Sequence, residues 1–114
     1  MTYVDGFVAA VPTQNKNAYL EHAKAAAAAF KKHGALSVTE CWGDEIPDGE
    51  LNSFNSAVMR KPEETVVFSW VTWASKEARD SGWAQIMEDP DMPQEMPFDG
   101  KRIIYGGFQK VLEA

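Results

Sequence analysis

Cysteine occurs once in this chain of 114 residues, and histidine twice. A lone Cys41 closes no internal disulfide, which suits a reducing compartment; the cytoplasm is the expected location. No CxxC, HxxxH or paired-histidine spacing is present. His22 and His33 lie on one predicted helix, roughly 16 Å apart at its rise per residue, too far to share a metal ion within one chain. No metal site and no cofactor are expected. Apolar runs fall short of the roughly 20 residues that cross a bilayer. The opening Met-Thr-Tyr-Val-Asp-Gly has no basic start leading into an apolar stretch, so no signal peptide is expected. Positive charge is also scarce: 11 Lys and Arg face 17 Asp and Glu, a net charge of −6. That balance disfavours phosphate-rich partners, so neither nucleic acid nor an anionic membrane is an expected partner.

What is present is ample material for a core. Hydrophobic residues make up 45% and charged residues 25% of the chain, a globular composition. The length fits one domain, residues 1–114. Two βαβ units follow one another. Tyr3–Pro12 alternates as a strand, Asn15–His33 has helical spacing with Tyr19, Ala23, Ala26, Ala27 and Phe30 recurring, and Leu36–Gly43 is a second strand. Asn15 is a candidate helix cap, and Gly34 a left-handed terminator after Lys31, Lys32 and His33. The short side chains of Ala25–Ala29 predict close approach to a sheet. Thr65–Ala74 is apolar on both faces, which implies burial on both. Ser75–Met87 is a helix capped by Ser75, with Ala78, Trp83, Ile86 and Met87 as its stripe and Gly82 at a close contact. Arg102–Val111 is the last strand. Asp44–Pro62, with a short helical turn in Ser53–Arg60, and the proline-rich Asp89–Gly100 are elaborated connections.

This order predicts an α+β, ferredoxin-like βαββαβ fold, with the first and third strands central in a four-stranded antiparallel sheet. Right-handed crossovers put both helices on one face. The other face then carries large apolar side chains, Phe68 and Trp70 or Val67 and Trp73 depending on the register, that a soluble monomer would leave wet. A homodimer packed through the sheet face is therefore expected. The segments Tyr3-Val-Asp-Gly-Phe-Val…Val11-Pro12, Cys41-Trp-Gly-Asp…Pro47-Asp-Gly, Thr65-Val-Val-Phe-Ser-Trp and Met96-Pro-Phe-Asp-Gly-Lys-Arg-Ile-Ile-Tyr-Gly-Gly-Phe resemble the YbaA-like family of uncharacterised bacterial proteins. The resemblance spans essentially the whole chain. It implies a dimeric α+β barrel, in the broad superfamily that includes cofactor-independent monooxygenases and related small enzymes. It carries over no activity and no catalytic residue.

No motif joins a nucleophile, a base and an orienting group, so candidates rest on position. Asp5 and Glu40 are acids within strand patterns beside aromatics, where desolvation would raise a carboxyl pKa; solvated strand charges are the plainer alternative. His22 is a candidate base, or simply a helix-border residue. Tyr105 and Tyr3 could orient a ligand through their hydroxyls. Trp42, Trp70, Trp73 and Trp83 are the candidates for lining an aromatic pocket, Trp42 and Trp70 foremost, with core or dimer packing as the alternative. Arg79 is a further ligand-binding candidate. His33 reads as a helix-end cation, Cys41 as a small buried hydrophobe, and Lys101 and Arg102 as a solvated pair. Gly106-Gly107 sits between Tyr105 and Phe108 in a strand, which points to close strand or subunit approach rather than a phosphate loop. Two functions are open: a cofactor-independent enzyme or binding protein for a small molecule, and a non-catalytic regulatory or protein-interaction module.

Overall fold

The computed structural model describes residues 2–114. Its elements are β1 (Tyr3–Pro12), a 3-10 turn (Thr13–Asn15), α1 (Lys16–Lys32), β2 (Ser37–Trp42), α2 (Phe54–Ala57), β3 (Glu64–Trp73), α3 (Lys76–Ile86) and β4 (Ile104–Gln109). The strands form one antiparallel sheet in the order β2-β3-β1-β4. This α+β arrangement is compatible with a ferredoxin-like fold, and the first and third strands are central. β1 and β3 pair from Tyr3 opposite Trp73 to Pro12 opposite Glu64. Because side chains alternate along a strand, that register sends Asp5, Phe7, Ala9, Val67, Ser69 and Val71 toward the helices. Val4, Val8, Phe68 and Trp70 take the opposite face.

Local chemistry explains most boundaries. Gly34 ends α1 at φ 108°, where the Ala35 N–H returns to the Phe30 carbonyl at 3.0 Å. His33 then ties the end of α1 to the segment after α3, with Nε2 2.6 Å from Asp89 Oδ2 and Nδ1 2.9 Å from Gln85 Oε1. Ser75 caps α3 by accepting from the Ala78 N–H at 3.1 Å. A Cβ on Gly82 would lie 2.4 Å from the Trp73 ring, the close contact expected there. Likewise, a Cβ on Gly107 would meet the Tyr3 ring, so close approach explains that glycine.

Several expectations are corrected. Asn15 makes no side-chain cap, because a 3-10 turn precedes α1 and its amide donates to the Pro97 carbonyl at 3.4 Å. Met87 lies beyond α3 and is 77% exposed rather than part of its stripe. Cys41 is exposed, since it sits on the edge strand β2 and faces away from the helices. β4 starts at Ile104 rather than Arg102, which turns inward. Arg102 is no solvated side chain: it grips the buried Glu64 carboxylate at 2.8 and 2.6 Å and donates to the Met59 carbonyl at 2.9 Å.

Three apolar clusters result. On the helical side, Ala9, Val11, Tyr19, Ala23 and Val67 form one, and Phe30, Ala35, Val71, Trp73 and Ile86 another. On the opposite face, Val58 from the loop after α2 covers Val8, Ala10 and Val66. The rest of that face is bare, with Phe68, Ile104 and Phe108 exposed.

The Arg102 guanidinium, more than any other group, pushes the Glu64 pKa down to about 2 from 4.5. Glu64 therefore contributes its full stabilisation above pH 4.5 and loses it as pH falls toward about 2. The melting-temperature gap between wild type and Glu64→Gln should be widest near neutrality and narrow through that window. A gap independent of pH would contradict this assignment.

Candidate functional site

The two core clusters on the helical side do not merge. Between them lies a cavity of about 330 Å³ under α1 and α3, at the lower end of the size range of ligand pockets. Its cause is legible in the side chains. Ala23 and Ala26 of α1 face Ala9 and Ser69 of the sheet, and no long side chain fills the gap. Tyr19 and Phe30 pack into separate clusters toward the two ends of α1. Within the alanine run, Ala29 is buried while Ala26 borders the open space. Met92, Met96 and Phe98 of the connection after α3 close one side, and Trp83 forms part of another.

Polar groups converge on this apolar space. The Tyr19 hydroxyl donates to Glu40 Oε1 at 2.5 Å, with Ser69 beside both. Glu40 lies on the edge strand and is exposed as a residue, but its carboxyl reaches under α1 to the Tyr19 hydroxyl, where protein crowds it. That desolvation raises its pKa, against the hydrogen bonds from Tyr19 and Ser69. Burial, followed by the Glu40 carboxylate, raises the pKa of Tyr19. His22 is shifted the other way: burial lowers its pKa, and the Glu95 backbone carbonyl partly opposes this. The imidazole is thus held neutral at pH 7, and its buried Nδ1 has no hydrogen-bond partner among the described residues. A carboxyl group whose pKa is raised by burial is better suited to proton exchange with a bound molecule than a fully solvated one.

The residues singled out from sequence divide between three places. Glu40, His22, Trp83 and Tyr105 line the cavity, Tyr105 from the exposed strand β4. Asp5 and Arg79 sit beside it as an anchor. Arg79 donates to Asp5 Oδ1 through Nη2 at 2.9 Å and Nε at 3.1 Å, while Trp73 and Trp83 donate to Oδ2 at 3.0 and 2.9 Å. Arg79 also stacks over Tyr3, 5.2 Å from its ring centre. Trp42 packs against Tyr19 at 6.2 Å between ring centres and lies under Lys16. Trp70 is on the opposite sheet face, 5.4 Å from the Phe68 ring, and shares no wall with His22. Tyr19, Ser69 and Phe98 were not among the site candidates. The partnership of Tyr19 with Glu40 depends on how α1 lies over β2, which sequence spacing alone does not specify. Among the described residues, no group of three or more His, Cys, Asp or Glu side chains is placed to hold a metal ion, and no helix is long and apolar enough to cross a membrane.

An antiparallel α+β sheet with a mixed polar and aromatic cavity under its helices defines an architecture and a candidate binding site. A family model described as a protein of unknown function (DUF1428) matches residues 2–100, and the chain belongs to that family. The uncharacterized protein YbaA of Escherichia coli strain K12 is 50% identical over 116 residues, covering 99% of each chain. YbaA of Shigella flexneri is similar to the same extent. The family resemblance carried by the sequence segments is thereby shown.

If small side chains hold the cavity open, a larger one can fill it. Ala26→Leu should stabilise the protein by about 0.5–2 kcal/mol in urea unfolding. A loss of stability would mean that the space is not free to accept the added carbons.

Proposed function

We propose that this protein is a cytoplasmic homodimer that binds a small, largely apolar molecule in the cavity of each subunit, without a cofactor, within one domain spanning residues 1–114. The observation that carries this reading is the divided core. Protein interiors pack densely, and a void that separates two apolar clusters forgoes stabilisation that a few larger side chains would supply. Binding of a ligand gives such a void a use. The convergence of Glu40, Tyr19, Ser69 and His22 on one apolar space is the usual composition of a small-molecule site. Proton exchange at Glu40 would extend binding to catalysis.

The dimer rests on the bare sheet face. Val4, Phe68, Trp70, Ile104 and Phe108 form a surface without ionised side chains, on a chain whose net charge is −6. Two copies of the whole surface would repel; two copies of this face would not. At about 25 cal/mol per Å², mutual burial of such a face offsets the cost of association. A sheet-to-sheet pair would complete the α+β barrel that the family resemblance implies. In a non-catalytic interaction module the same face would receive a different protein, but the absence of ionised side chains among its exposed apolar residues favours a second copy.

Sedimentation should show a dimer that Phe108→Lys converts to a folded monomer. In a thermal-shift screen, uncharged aromatic compounds should raise the wild-type melting temperature and leave Ala26→Leu unmoved. A concentration-independent monomer would overturn the dimer, and equal shifts in both proteins would overturn the cavity as the binding place.

A further inference from the structure

The charges around the cavity narrow what it can hold. Glu40 is the one carboxylate in the lining, and neither lysine nor arginine contributes to it. His22, the other ionisable group with a base's chemistry, is kept neutral by burial. A carboxylate offers about four acceptor positions, of which the Tyr19 hydroxyl engages one, with the Ser69 hydroxyl close by. Tyr19 spends its single proton on Glu40, so its oxygen is left to accept as well. Acceptors therefore outnumber free donors at this end of the cavity, and aromatic faces from Phe7, Phe30, Phe98 and Trp83 line much of the remainder.

We infer, on the basis of the binding reading above, that the ligand is a molecule of about two aromatic rings carrying a hydrogen-bond-donor head and no negative charge, with Glu40 accepting from that head. The size follows from volume: a dry cavity of about 150 Å³ holds benzene, and this one is about twice as large. The donor follows from desolvation. A ligand lacking one would strip water from Glu40 and return no hydrogen bond, which costs more than leaving the site empty of polar groups. An anionic head would meet Glu40 with no cation to compensate it. Hydroxyl and ammonium heads share the required chemistry, and an ammonium would gain further from the aromatic faces.

Calorimetry with the full chain at pH 8 separates these cases using 2-naphthylmethanol, 2-naphthylmethylamine, the methyl ether of the alcohol, and 2-naphthoate. The alcohol or the amine should bind at least about tenfold more tightly than the ether, with naphthoate weakest; whichever donor binds more tightly identifies the head. Glu40→Leu should bring the donor-to-ether ratio close to one while ether affinity stays within about threefold, which also shows that the variant is folded. Ether binding as tight as the tighter of the two donors, naphthoate binding tightest, or an unchanged ratio in Glu40→Leu would overturn the inference and leave the cavity reading intact. Binding of none of the four would overturn the cavity reading and this inference with it.

Discussion

A carboxylate withdrawn from water, Asp5, holds the helical side of this protein together. Burial of a charge is costly unless donors replace the lost water, and Asp5 receives them from Arg79, Trp73 and Trp83. The donors come from two parts of the structure that must meet: Trp73 from the end of β3, and Arg79 and Trp83 from successive turns of α3. The contact fixes where α3 lies on the sheet, and Gly82, facing the Trp73 ring, lets it lie close. Trp83 is then oriented as a cavity wall, with its ring 5.1 Å from Phe30 and 6.5 Å from Phe7. One of the two strand acids that the sequence offers as candidates is thus engaged in positioning the wall of the cavity.

Small residues then do what a large residue elsewhere would prevent. Ala23 and Ala26 opposite Ala9 and Ser69 leave room where a leucine in any of these places would join the two clusters. The protein forgoes some packing stability there, and three groups that face the space, Tyr19, His22 and Glu40, have pKa values shifted by burial. The bare sheet face shows the same pattern on the other side: apolar surface kept uncovered within one chain. Both features make sense in an assembly with a ligand, and neither is explained by the stability of an isolated chain.

Much of this fold was legible in the sequence because period and punctuation are local. The alternation in Tyr3–Pro12 and Thr65–Ala74, the alanine-rich helix and the caps at Ser75 and Gly34 depend on neighbours within a few residues. Less legible were features decided by partners far along the chain. Arg102 read as solvated because Glu64 lies in another element. Asp5 could be read as either an exposed charge or a reactive acid until α3 was placed. For the cavity, His22 and Tyr105 were accessible as candidates, while Tyr19 read only as a core position. Its hydroxyl implied some buried partner, but only the placement of α1 over β2 identifies Glu40. Trp42 and Trp70 were chosen for their indoles, and alternation along a strand cannot say which face the helices will cover.

The placement of the binding site on the helical face, walled by the indole that Asp5 holds, is the central claim. The four indole N–H resonances report on it directly, since Trp83 borders the cavity and Trp70 lies on the other side of the sheet. On titration with 2-naphthylmethanol, the Trp83 N–H signal should move in proportion to occupancy while that of Trp70 stays in place. Movement of Trp70 with Trp83 unaffected would put the ligand on the sheet face and contradict the account.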